Sequence, residues 1–307
     1  MRTGSVLAGA LAIIAVSWLT ALALAYRSGA AVPTLIRALA DCAAVATFGF
    51  AIVPSLDDGR RRAELADRAA GPLTAAGAAW LVAEVGRQLV AAAQATALPI
   101  THLPLRIVSE FSLRTTPGRS GLVSIGAAAV VCVVTLTGRR SAPLPAVVAG
   151  AAAIGIAARA VSGHLSGSAV GAVAVAAHAL AAAAWCGGLA ALLVTVRHRG
   201  RWARVLPPFS RLALICVVVL LASGAVGAVV VLDSPSQLWA TGYGRVLSAK
   251  VGLAAGLLVL AWFNRSGWLP AARSHRASAE MSVNRSATEV AVMVVALTMA
   301  AALVVTG

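Results

Sequence analysis

Long apolar runs separated by short polar segments are the dominant pattern of the chain. About nine of these runs approach the roughly 20 residues that a helix needs to cross a bilayer. Ala, Val, Leu and Gly dominate the runs, which suits close helix packing and shows little strand-like alternation. The runs are 5–26, 34–54, 73–95, 121–137, 144–161, 169–196, 209–232, 243–263 and 287–305. We therefore predict an all-α, polytopic transmembrane helix bundle.

Two segments require an interpretation beyond their hydropathy. The first run, 5–26, contains Ala23-Leu24-Ala25, which resembles a signal-peptide cleavage site. Its apolar part exceeds the usual length of a signal-peptide core, so we expect a retained helix. The segment 55–72, which follows the second run, carries many charges and is expected to be a solvated loop.

Composition and charge agree with a membrane protein and exclude most soluble classes. Hydrophobic residues make up 60% of the 307 residues, charged residues 11%, and the mean hydropathy is +0.90. A net charge of +15 would suggest nucleic acid in a soluble protein. Here one side of the predicted topology carries fifteen arginines in its terminus and loops, against four on the other. The positive-inside rule then predicts a cytoplasmic N-terminus and an external C-terminus, with the lipid bilayer and not nucleic acid as partner.

Two histidines are the first candidates for chemistry. His178 interrupts the apolar run 169–196 about ten residues from its start, a depth of roughly 15 Å at the rise of a helix. An ionisable residue at that depth indicates a functional site, and a neutral imidazole is a good ligand for copper, zinc or iron. His164 lies in the polar turn before this run, on the predicted outer side. The alternative is a packed histidine that bonds to a neighbouring helix.

The residues after His178 continue the same helix face and suggest a close helix contact. Trp185 lies seven residues on, which is two helical turns. Gly187 and Gly188 follow, and small residues of this kind let a second helix approach closely.

Sulfur ligands are the second candidates. The four cysteines lie in apolar runs without a Cys-x-x-Cys pair, so small buried side chains are expected rather than disulfides. Cys186 is nevertheless a candidate soft-metal ligand beside Trp185. Met299 is a candidate for the same role, because thioethers bind Cu(I) and it lies nearer the outer end than Met293. Methionine as a core filler is the alternative.

Two cations lie inside the predicted span 243–263 and require compensation. Arg245 is close enough to the outer interface to extend its guanidinium outward. Lys250 lies deeper and needs a partner. The carboxylates inside spans are Asp41, Glu84 and Glu289, of which Glu289 matches Lys250 poorly in depth.

Enzyme motifs are not found in the sequence. It contains no Walker A, GxSxG or HExxH motif, and no Cys-x-x-Cys-His motif for haem attachment. We therefore predict that the protein is not an enzyme and assign no catalytic residue. An electron carrier with b-type haem stays open, because paired histidines ligate haem, although His102 and His164 match the depth of His178 poorly.

The C-terminal half resembles a known family in four segments. The first is Gly163-His164, His178-Ala179-Leu180 and Trp185-Cys186-Gly187-Gly188-Leu189. The second is Phe209-Ser210-Arg211-Leu212-Ala213 with Ser223-Gly224. The third is Tyr243-Gly244-Arg245-Val246-Leu247 with Lys250 and Asn264-Arg265, and the fourth is Glu289 in the last helix. In this order they resemble the copper resistance D family (CopD, also PcoD-type).

This resemblance implies a function and a division of the chain. Residues 1–140 look like the four-span N-terminal extension of actinobacterial members, and residues 141–307 like the five-span CopD domain. The family implies a multi-pass plasma (inner) membrane protein in copper transport or homeostasis. We expect Cu(I) to enter from the exterior towards the cytoplasm, captured by His164 and relayed by His178, with Cys186 and Met299 as further ligands. An extracytoplasmic donor protein would supply the copper. A scaffold role in assembly of a respiratory oxidase is the alternative.

Overall fold

A computed structural model describes residues 15–16, 18–19, 31–137, 144–162, 168–231, 242–274 and 276–306. Every regular element in these ranges is helical, which confirms the predicted all-α class. The α-helices are α1 (Ala31–Ile52), α2 (Gly59–Thr96), α3 (Leu105–Arg114), α4 (Thr116–Thr137), α5 (Leu144–Ala160), α6 (Ala169–Ala182), α7 (Gly188–Thr195), α8 (Arg199–Val231), α9 (Gly242–Phe263), α10 (Leu269–Arg273) and α11 (Ala279–Thr306).

Short non-α segments connect some of these helices. The 3₁₀ turns are Val53–Leu56 and Ile100–His102. The π-helical segment Ala183–Gly187 joins α6 to α7, and a second π-helical segment, Asn264–Trp268, joins α9 to α10. Each pair of α-helices therefore continues through a local widening of the helix, which is a feature often found at functional sites.

Six helices in the described part of the chain are long and apolar enough to cross a membrane. They are Ala31–Leu56, Thr116–Thr137, Ala169–Thr195, Arg199–Gly227, Leu247–Arg273 and Ala279–Ala302. Each coincides with one of the predicted spans. Of the other predicted spans, 144–161 corresponds to the shorter apolar helix Leu144–Ala160, and 73–95 lies in α2, where it contains Glu84, Arg87 and Gln88. Most of the run 5–26 lies outside the described residues. The total of about nine spans and the orientation of the termini stay predictions.

The expectation of a loop at 55–72 is wrong for most of that segment. Helix α2 starts at Gly59 and runs for 38 residues, so its charged first part is helical. Leu65, Ala69 and Leu73 recur every four residues and are buried, which fixes this part against the rest of the protein. Glu64 also contacts Arg201 of α8, with 2.6 Å between Oε2 and Nη2. The high charge of this segment is compatible with a helix, because one face of that helix is apolar.

The main core lies around the first π-helical segment and takes most of its buried residues from α1, α2, α4, α5, α7 and α8. Trp202 and Trp268 pack with ring centroids 5.8 Å apart and an interplanar angle of 56°. Their rings join a buried cluster that also contains Trp80, Trp185 and Met293.

Helix α1 crosses the first π-helical segment at backbone contact distance. A Cβ atom placed on Gly187 would lie 2.1 Å from the carbonyl oxygen of Val45, and one on Gly49 would lie 2.0 Å from the oxygen of Gly187. No side chain fits at either position. The predicted close approach at Gly187 is therefore confirmed, with α1 as the approaching helix.

Candidate functional site

His178 lies on α6 and its ring faces α8. Its Nδ1 atom is 2.9 Å from Oγ of Ser223, and the same hydroxyl lies 2.6 Å from the carbonyl oxygen of Val219. A serine hydroxyl has one proton, and we assign it to the shorter contact with Val219. Nδ1–H of His178 then donates to Ser223, and Nε2 keeps a lone pair that can bind a metal ion.

Residues of α8 and α9 lie around His178. A Cβ atom placed on Gly224 of α8 would lie 3.8 Å from the imidazole Cε1, so α8 passes close to the ring. Lys250 of α9 lies within electrostatic range of the imidazole. The hydrogen bond to α8 is the packing arrangement anticipated as the alternative to ligation, and it leaves Nε2 unused by that bond. The ligand role of His178 stays a prediction.

A second polar centre lies around Glu289 of α11, which is 4% exposed. Its Oε2 accepts a hydrogen bond from Nδ2 of Asn264 at 2.7 Å. The indole of Trp185 lies beside this carboxylate. Each π-helical segment therefore places one neutral side chain next to the same buried carboxylate. Arg285 extends the arrangement, because its Nη1 donates to Oδ1 of Asn264 at 3.2 Å.

Cys186 connects this centre to a group of thiols. It lies within electrostatic range of Cys42 on α1, Cys216 on α8 and Glu289. All of these cysteines are free thiols. In the part of the chain that the structure describes, no three His, Cys, Asp or Glu side chains form a group that could hold a metal ion. The thiols and the carboxylate thus share one region without forming a preassembled metal site.

The remaining predicted site residues lie apart from this region or outside the described part. Met299 is buried in α11 with 3% exposure, and Met293, one turn after Glu289, belongs to the main core. His164 lies outside the described residues. His102 is exposed in the 3₁₀ turn Ile100–His102. The structure therefore tests none of these ligand assignments, and they stay predictions.

A third polar group is buried between α1, α2 and α5. Nη1 of Arg87 lies 3.0 Å from Asp41 and 3.5 Å from Glu84, while Nε of Arg37 lies 3.6 Å from Asp41. Arg159 of α5 donates to Glu84, which is fully buried. Two of the carboxylates considered as partners of Lys250 are therefore bound to arginines. The pairing of Arg159 with Glu84 is not readable from the sequence, because that contact depends on how α2 and α5 pack.

Gln88 continues this charged group towards α3 and α4. Its side-chain amide nitrogen, Nε2, donates to Oγ of Ser112 at 2.9 Å and to the carbonyl oxygen of Gly118 at 3.0 Å. Its side-chain oxygen, Oε1, accepts from Arg159 at 3.4 Å. The polar side chains of Glu84, Arg87 and Gln88 on α2 therefore face other helices and bind polar partners away from lipid.

These features define the class of protein. Apolar helices of membrane-spanning length, apolar outer faces and mutually satisfied buried charges characterise a multi-pass helical membrane protein. Residues 203–304 match the family model described as Copper resistance protein D, which confirms the resemblance to the copper resistance D family. The matched region contains Ser223, Lys250, Asn264 and Glu289. A comparison with curated proteins gave no match, and neither did a comparison with solved structures.

The polar centres around His178 and Glu289 both involve residues of the matched region. The match suggests a membrane protein of copper resistance or homeostasis, and the matched residues lie within the predicted CopD-like half, 141–307. His178 and Trp185 lie before the matched residues, but each contacts a residue inside them. The division of the chain at 140 and 141 stays a prediction.

Proposed function

We propose that the protein moves copper across the plasma membrane from the exterior towards the cytoplasm, with Cu(I) as the cargo. The observation that carries this proposal is the bond between Nδ1 of His178 and Ser223 at 2.9 Å. It joins a histidine inside a membrane-spanning helix to the region that matches the copper resistance D family. The bond orients the ring and leaves Nε2 for the cargo, as a second-shell partner does for other metal-binding histidines.

The cargo would pass between ligands in steps. His178 and Cys186 are separated by eight positions along one continuous helix, which is roughly 12 Å at 1.5 Å per residue. An ion could not contact both at once, so it would exchange an imidazole for a thiol. His164 would capture the ion first, and Met299 would be a further soft ligand.

The proposal also includes a location, a source of copper and the absence of an enzymatic activity. The plasma membrane is the proposed location, and an extracytoplasmic donor protein is the proposed source of Cu(I). Carrying an ion between ligands makes and breaks no covalent bond, so we propose no enzymatic activity.

The proposal is tested by copper accumulation in cells that express His178→Ala. We expect lower accumulation than with the parent protein, because the relay loses its imidazole. His102→Ala is the matched control, since it removes an exposed histidine of a 3₁₀ turn. Equal accumulation by the parent and His178→Ala, with equal protein levels in the membrane, would reject the relay.

A further inference from the structure

Glu289 is a buried carboxylate whose partners in the described structure are neutral. Asn264 donates to it, the indole of Trp185 lies beside it, and no salt bridge joins it to a cation among the described residues. A carboxylate buried without a cation is costly, because it loses its hydration and gains no opposite charge. Such a group takes up a proton, or it attracts a cation.

The hydrogen bonds of Glu289 are compatible with either protonation state. A carboxylate accepts at both oxygens, and a carboxylic acid keeps acceptor capacity at its carbonyl oxygen while it gains one O–H donor. Nδ2 of Asn264 can therefore hold the group in place while a proton comes and goes. Asn264 and Trp185 lie in the two π-helical segments, so both segments border the carboxyl group.

An open cavity lies beside this centre. Its volume is about 270 Å³, and it is lined by Leu260, Phe263, Asn264, Asn284, Arg285 and Thr288. Asn284 and Thr288 are exposed. Asn264 therefore donates to Glu289 and also lines the cavity. A cavity of this size, open and partly lined by polar side chains, has room for water, which can accept or supply a proton.

The charged and titratable groups near Glu289 do not neutralise it directly. Arg285, one turn before it on α11, donates to Asn264, and Arg265 donates to Oγ of Ser210 at 2.8 Å. The thiol groups nearby belong to different helices. They are Cys186, whose thiol lies in the electrostatic field of Glu289, and Cys42 and Cys216, which also act on Cys186.

We infer that Glu289 is a proton-exchanging carboxyl that uses the cavity beside Asn264 and releases its proton when a monovalent cation enters the Cys186 region. The step balances, because Glu–COOH becomes Glu–COO⁻ and the proton passes to water in the cavity. The arriving Cu(I) and the departing proton each carry one positive charge, so the local net charge is unchanged. The link to copper depends on the proposed function, whereas the presence of an exchangeable proton on Glu289 does not.

The first measurement concerns the proton itself and needs no copper. Infrared difference spectra of the purified protein, recorded as the pH is changed, should contain the carbonyl stretch of a buried carboxylic acid. This band should be missing in Glu289→Gln and present in Glu280→Gln. Glu280 is an exposed glutamate at the start of the same helix, so it is a matched control. An identical band in the parent and Glu289→Gln, or none in the parent at any pH, overturns the inference.

The second measurement concerns coupling to copper. Protons released on Cu(I) addition are counted with a pH indicator in weak buffer, and the parent should release about one more proton per ion than Glu289→Gln. Thiol ligands also release protons when they bind a metal, so Cys186→Ser separates the two sources. Equal release by the parent and Glu289→Gln overturns the coupling. A parent that binds no Cu(I) contradicts the proposed function, and the infrared result then decides the inference alone.

Discussion

Nδ1 of His178 on α6 and Oγ of Ser223 on α8 lie 2.9 Å apart, although 45 positions separate the two residues in the chain. The bond fixes which nitrogen of the imidazole is used for packing and which is left for a ligand. Because Ser223 lies in the region that matches the copper resistance D family, the matched region positions a histidine that precedes it.

Ser223→Ala should weaken Cu(I) binding without unfolding the protein. Loss of a partner that orients a metal-binding histidine costs roughly 10–100-fold in metal affinity. Cu(I) affinity is measured by competition with a chelator of known strength. Ser266→Ala is the matched control, because Ser266 also bonds to a carbonyl oxygen one turn earlier but is exposed and contacts no histidine. Unchanged affinity in Ser223→Ala would show that this bond does not prepare a ligand.

The pair formed by Glu84 and Arg159 should be essential for stability. Arg159→Met leaves the fully buried carboxylate of Glu84 with Arg87 alone, and breaking a buried pair costs about 3–5 kcal/mol. Unfolding in detergent by heat or denaturant measures the loss.

Replacing both members of this pair is the sharper comparison. The double variant Glu84→Leu, Arg159→Met removes both charges together, so it should be more stable than Arg159→Met, because no uncompensated carboxylate is left. If the double variant is the less stable of the two, the pair does not act by charge compensation.

Gly187→Ala should separate α1 from the first π-helical segment. Its Cβ atom would lie 2.1 Å from the Val45 carbonyl oxygen, and a backbone atom cannot move aside as a side chain can. We expect a loss of at least 1–3 kcal/mol, roughly the cost of overpacking a core. Gly267→Ala is the control, since Gly267 lies in the other π-helical segment and a Cβ there meets nothing within 4 Å. Equal thermal stability of the two variants would refute the contact.

The helices were predictable because apolar length is a local property of the chain. Six predicted spans coincide with helices that can cross a membrane. The charged first part of α2 was missed, although Leu65, Ala69 and Leu73 carried the signal of a helix with one apolar face. The many charged residues between these three apolar positions obscure their spacing in the sequence.

The site was only partly predictable, because partners depend on the register between helices. His178 is identifiable as a polar residue in an apolar run, but its bond to Ser223 requires α6 and α8 to align. Glu289 was considered as a counter-charge for Lys250, whereas it accepts from Asn264 and lies beside the indole of Trp185. Both residues lie in π-helical segments, which the spacing of apolar residues does not distinguish from an α-helix.

Cys186→Ser should lower Cu(I) binding while the fold is retained. Serine is similar in size to cysteine but is a hard oxygen donor, so a site that uses the thiol loses its soft ligand. Cys132→Ser is the matched control, because Cys132 lies on α4 and is not among the thiols that act on Cys186. Chelator competition gives the affinity, and copper content after dialysis gives the stoichiometry. If both variants bind Cu(I) as the parent does, Cys186 is only a packing residue, and the path from His178 must use other ligands.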